Sequence, residues 1–91
     1  AFLAYRQLRA GADKTYVADG FTEDQQFFVA VGQAWCSHDR DAEAVRRLIV
    51  DPHAPPMWRV NGALRNLPQF AEAFGCKAGA PMAPVARCTI W

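Results

Sequence analysis

Pro52, Pro55 and Pro56 fall within one short stretch, and each withholds a backbone donor and locks φ, so regular structure is not expected to run through them. They divide the chain into helical segments on either side of an irregular connection. Ahead of them, Phe2, Tyr5 and, on an adjoining face, Leu8 have helical spacing over Ala1 to Leu8, and Gly11 with Asp13 ends that segment. Lys14 to Gly20 reads as a connection. Thr22-Glu23-Asp24-Gln25 is a capping box whose two acids face the positive end of a helix dipole, so a strong helix is predicted from Thr22. Phe27, Phe28, Val31, Ala34 and Trp35 give that helix a wide apolar face, and Phe21 is placed to staple onto its first turn. Asp41 is the expected cap of a third helix, Ala42 to Ile49, with Ala44, Val45, Leu48 and Ile49 as core candidates and Arg46 and Arg47 facing water. Beyond the prolines, Asn66 or Leu67 precedes Pro68 at a favoured first helical position, and Phe70, Ala73 and Phe74 line an inner face until Gly75 stops the helix. The Gly-, Pro- and Cys-punctuated end closes on Cys88-Thr89-Ile90-Trp91, an apolar tail expected to pack inward. No convincing strand pattern, internal repeat or low-complexity tract appears, and the fold class is mainly α.

Composition narrows the function classes. At 91 residues, 52% hydrophobic and 21% charged, the chain is one globular unit rather than a disordered segment. Ten Lys plus Arg against nine Asp plus Glu leave a formal charge of +1, too balanced for a surface that tracks phosphates, so no nucleic-acid partner is expected. The longest apolar run, within Phe27 to Trp35, is broken by Gly32 and Gln33 and falls short of the roughly 20 residues a membrane span needs. The opening Ala1-Phe2-Leu3-Ala4-Tyr5-Arg6 starts in mid-pattern without the basic lead or cleavage site of a signal peptide, and is expected to continue something longer.

Chemistry concentrates in Asp51-Pro52-His53-Ala54-Pro55-Pro56-Met57-Trp58-Arg59-Val60-Asn61-Gly62. An Asp two residues before a His can accept from one ring nitrogen and fix the tautomer, leaving the other nitrogen to donate to an oxyanion. Arg59 has the planar donor fork that suits a substrate carbonyl or carboxylate. The same residues also admit a structural reading, with Asp51 capping a turn, His53 on the surface and Arg59 in an ordinary ion pair. The sulfur and nitrogen of Cys36, His38, His53, Cys76 and Cys88 lack the close pairs of a structural zinc site, and no metal ligand is assigned in this chain. Cys36, beside an apolar helix face, is a weak nucleophile candidate. The aromatic residues Phe27, Phe28 and Trp35 read as core in preference to a partner groove.

Asp19-Gly20-Phe21-Thr22 ahead of a Gln- and Phe-rich helix ending in Trp35-Cys36 is followed by Asp51-Pro52-His53-x-Pro-x-x-x-Arg59-Val60-Asn61-Gly62. Then come Asn66-Leu67-Pro68-x-Phe70-x-x-Ala73-Phe74-x-Cys76, Pro81-Met82, Arg87-Cys88 and a final Trp91. In order and spacing this set resembles the C-terminal end of zinc endopeptidases of the neprilysin and endothelin-converting-enzyme family, nearly end to end. The resemblance implies the C-terminal helical part of a larger zincin-type catalytic domain, with long Pro/Gly-rich loops. It implies peptide substrates, and zinc held by a His-Glu-x-x-His helix and a later Glu-x-x-x-Asp motif. Neither motif occurs here, and Ala1 to Arg6 resembles the continuation of the helix after the second.

By that resemblance His53 stabilises the transition state, Asp51 orients it and Arg59 holds substrate backbone. Ala54 departs from the serine usual in the family. Extracellular members pair cysteines matching Cys36, Cys76 and Cys88 with partners outside this segment, and a local Cys76–Cys88 bridge is the alternative. An extracytoplasmic location, secreted, periplasmic or cell-surface, follows as an expectation. So does an inactive isolated chain, prone to self-association where its apolar faces should meet the rest of the catalytic domain. The rival reading is a free-standing small helical protein-interaction module.

Overall fold

The computed structural model of the chain describes residues 1–11 and 17–88. Five helices carry it: α1 (Phe2–Leu8), α2 (Glu23–Ala34), α3 (Asp41–Val50), α4 (Pro56–Leu64) and α5 (Pro68–Ala73), with two short strands, β1 (Val17–Ala18) and β2 (Phe21–Thr22). The mainly α expectation holds. None of the helices, among the described residues, is long and apolar enough to cross a membrane.

The capping box forms as read. The Thr22 hydroxyl accepts from the Gln25 backbone N–H while the Gln25 side chain accepts from the Thr22 N–H at 2.9 Å. The Phe21 staple does not form: the position it would pack on is Gln26, whose amide instead donates to the Phe21 carbonyl at 2.9 Å. The chain arrives there through a hairpin that pairs Val17 with Thr22 and Ala18 with Phe21. Its two-residue loop, Asp19 and Gly20, has φ of 52° and 78°, the left-handed pair a tight hairpin needs. The expected connection over Lys14 to Gly20 therefore ends in strand structure, and its residues 14–16 lie outside the described residues.

At α5, Leu67 is the cap and Pro68 the first residue, as expected. Gly75 at φ 59° ends the helix, and the Cys76 N–H reaches back to the Ala71 carbonyl at 2.9 Å. α3 differs from expectation. Asp41 is its first residue rather than its cap, which is Arg40 with no side-chain cap bond. Pro56 differs more: it starts a helix instead of extending the irregular stretch, because the first helical position needs no N–H and its φ suits proline.

One aromatic cluster forms the core. Phe28, 2% exposed, stacks on Phe2 with centroids 4.7 Å apart and meets Phe70 edge-on at 5.3 Å. Phe27, Phe74, Val31 and Val60 pack around them with Leu64, so α1, α2, α5 and the end of α4 share this centre. Gln25 ties α2 to α5 by donating to the Ala73 carbonyl at 2.7 Å, and Arg6 pairs with Asp24 at 2.7 Å between α1 and α2. α3 has no share in it. The predicted core residues Ala44, Val45, Leu48 and Ile49 are exposed, since nothing described in the chain covers their face. Trp35 is likewise 44% exposed rather than core. A Cα radius of gyration of 15.5 Å, against about 12 Å for a compact domain of this length, reflects the same open packing. The apolar tail expected after Cys88, at residues 89–91, lies outside the described residues.

Replacing Phe28 with Ala is expected to remove about 3–5 kcal/mol, a large share of the roughly 5–15 kcal/mol that holds an ordinary domain together. Ile49→Ala, at a position 80% exposed, is expected to stay within about 0.5 kcal/mol. Urea denaturation of the two variants checks both.

Candidate active site

The five residues Asp51 to Pro55 join α3 to α4. α3 ends where the Asp51 N–H bonds the Arg47 carbonyl at 2.9 Å, and α4 begins as the Pro55 carbonyl accepts from Trp58 and Arg59. Arg59, Val60, Asn61 and Gly62 thus stand on a helix, not on the loop expected from the sequence. Helical geometry sets Arg59 one turn in from the joint, pointing back along α4 toward the loop.

Within the joint, one oxygen of Asp51 binds His53 twice. Oδ1 accepts from the His53 backbone N–H at 2.9 Å and lies 2.9 Å from ring Nδ1. The backbone bond closes an Asx turn, and the same oxygen also meets the ring. These bonds act on Asp51 in turn: the backbone N–H first, then the ring, favour its ionised form and hold its carboxyl below the usual range. An ionised carboxylate can only accept, so Nδ1 is the nitrogen that carries the proton between them. Nε2 is left free on a side chain 66% exposed.

Arg59 turns back onto the joint. Its Nε donates to the Ala54 carbonyl at 3.1 Å, and its Cζ lies 4.6 Å from the centre of the Trp35 ring. Position 54 therefore contributes its backbone carbonyl, which alanine supplies as well as serine. A small cleft of about 100 Å³ runs beside the loop, lined by Asp39, Arg47, Leu48, Asp51, His53 and Pro55 among others. Arg47 is held there by Asp39 at 3.2 Å and Glu43 at 3.4 Å, and its charge also favours ionised Asp51.

The structure thus brings Asp51, His53 and Arg59 to one joint. Trp35 was not singled out for this place, because its helical spacing assigned it to the core face, and a contact so far apart in sequence leaves no local signal. Cys36, Cys76 and Cys88 are all free thiols in the structure, and the local Cys76–Cys88 bridge is not formed. Among the described residues no three His, Cys, Asp or Glu side chains are grouped to hold a metal ion.

Because the hydrogen bonds favour ionised Asp51, their stabilisation is fully present above the ordinary aspartate range and is lost as pH falls through the lowered folded value. In a carboxyl-detected NMR titration, Asp51 is expected to titrate below its midpoint in denaturant. An equal or higher midpoint would contradict the turn.

Comparison with known proteins gives the geometry its setting. The chain is 45% identical to neprilysin-1 of Caenorhabditis elegans over 73 residues, 80% of this chain and 10% of that protein. It is 42% identical to membrane metallo-endopeptidase-like 1 of Mus musculus, with all of this chain and 12% of the relative aligned. The cryo-EM structure of the Mycobacterium tuberculosis zinc metalloprotease Zmp1 in its open state superposes with a TM-score of 0.86 at 39% identity, covering 99% of this chain and 14% of that one. The chain spans only about a tenth of the length of these relatives. With the model of peptidase family M13 matching residues 1–90, the chain belongs to that family.

Proposed function

We propose that the chain is the C-terminal part of a zinc metalloendopeptidase catalytic domain, a single unit in which His53 stabilises the oxyanion of peptide hydrolysis and Arg59 holds substrate backbone. The observation that carries this reading is the pair of hydrogen bonds that Asp51 Oδ1 accepts from the His53 backbone and ring, which aims a defined ring nitrogen outward from a proline-stiffened joint. Membership of the family and the likeness to a protein named a zinc metalloprotease support it. So do the exposed apolar side chains of Val45, Leu48 and Ile49 on α3 and of Met57 and Trp58 on α4, which suit packing against the rest of a larger catalytic domain.

The chemistry at this site is hydrogen-bond donation. With Nδ1–H committed to Asp51, Nε2 carries a proton only in the imidazolium, so the donor is a charged N–H facing an oxygen that becomes negative in the transition state. Asp51 sustains that charge without taking the proton. The fork of Arg59, its Nε already used, offers its outer nitrogens to a peptide carbonyl or carboxylate. The described residues offer no group of side chains that fits a zinc ion, so the metal is bound elsewhere in the protein. The 91-residue chain alone would then hydrolyse no peptide. The three free thiols suit disulfide partners elsewhere in the protein and hence an extracytoplasmic setting.

Steady-state kinetics on the full-length, zinc-replete protein test the roles. His53→Ala is expected to lower kcat by on the order of 100-fold with little change in substrate binding. Arg59→Ala is expected chiefly to raise KM, Arg59→Lys to recover little, and Asp51→Asn to fall between the two sites in effect. Near-normal turnover of His53→Ala at full zinc occupancy would overturn the assignment.

A further inference from the structure

We propose that Trp35 is a positioning residue of this site, its ring carrying the guanidinium of Arg59 so that the outer nitrogens face a peptide carbonyl or carboxylate. The inference rests on the function proposed above and extends it to a residue outside the joint.

A planar cation on a long side chain needs more than one contact to hold it in place. The bond from Arg59 Nε to the Ala54 carbonyl, at 3.1 Å, supplies the first. The Trp35 ring, with its centre 4.6 Å from Cζ, supplies the second, well inside the distance at which a ring face attracts a cation. Among the described residues no carboxylate is paired with Arg59, whereas Arg6, Arg9, Arg46 and Arg47 each have one. Among these residues a carbonyl and a ring hold the arginine, and neither carries a charge that would neutralise it.

The backbone of Trp35 is well fixed. It is the C-cap of α2, its N–H bonded to the Gly32 carbonyl at 3.3 Å, and α2 is anchored by Phe28 in the core and by its capping box. The residue stays 44% exposed, so burial alone does not account for its placement. Trp35 therefore links the core, through α2, to Arg59.

The test is a double-mutant cycle in the full-length, zinc-loaded protein, reading kcat and KM for a peptide substrate. Trp35→Leu is expected to raise KM roughly 3- to 10-fold with kcat changed less than about two-fold, and Trp35→Phe to restore most of the loss because a ring face remains. In an Arg59→Ala background neither change at Trp35 should raise KM further. The same rise in that background would overturn the proposal, since the indole would then act on substrate directly. Equal damage from Phe and Leu would also overturn it. Zinc content and thermal midpoint identify a variant that misfolds, and should Leu do so, the Phe change in both backgrounds decides the matter alone. His53→Ala in the same preparation separates the two claims: its normal turnover sinks the proposed function, whereas its loss of turnover beside an additive cycle sinks only the role of Trp35.

Discussion

The aromatic core of this chain is organised around the ring of Phe28. Stacked on Phe2 and met edge-on by Phe70, it gathers α1, α2 and α5 with the last turn of α4, and no second aromatic cluster forms among the described residues. Aromatic pairs of this geometry add roughly 0.5–1.5 kcal/mol each beyond the area they bury. α3 and the first turn of α4 lie beyond the reach of that cluster and leave their apolar side chains in water. The joint carrying Asp51 and His53 therefore sits between an anchored half and an unanchored one. Its order comes from local bonds: the Asx turn, the proline ring at the start of α4, and the grip of Arg59 on Ala54.

How much could be read in the sequence follows the range of each interaction. Thr22 and Gln25 satisfy each other three residues apart, and Pro68 and Gly75 mark their helix ends through their own backbone preferences, so these features were legible. Asp51 and His53 were legible for the same reason, since an Asx turn and its imidazole bond span two residues. An amphipathic face, by contrast, states that it seeks apolar cover without stating where. Val45, Leu48 and Ile49 seek theirs outside this chain, so the pattern that marked α3 as a helix misplaced it in the core. Pro56 breaks regular structure behind it and starts a helix ahead of it, and composition alone does not tell the two apart. The Asp19-Gly20 pair suits a tight hairpin, yet strands of only two residues leave no alternating pattern on either side of it. The meeting of Trp35 with Arg59 had no signal in periodicity, because it depends on how α2 and α4 leave the core.

Position 54 shows how backbone and side chain divide the work. The resemblance to the family leads one to expect serine, and alanine removes a hydroxyl beside the histidine. Yet the bond that anchors Arg59 uses the carbonyl, and His53 is oriented by Asp51 alone among the described residues. Neither bond uses the side chain of residue 54.

The oxyanion role rests on which nitrogen of His53 holds the proton when the ring is neutral, because an ionised Asp51 can accept only from a protonated Nδ1. Nitrogen-15 NMR of the two ring nitrogens in the neutral imidazole measures this directly. A protonated Nδ1 beside a bare Nε2 is the expected result. A neutral ring protonated at Nε2, with Nδ1 bare, would show that Asp51 does not set the histidine, and the oxyanion role built on that pairing would fall with it.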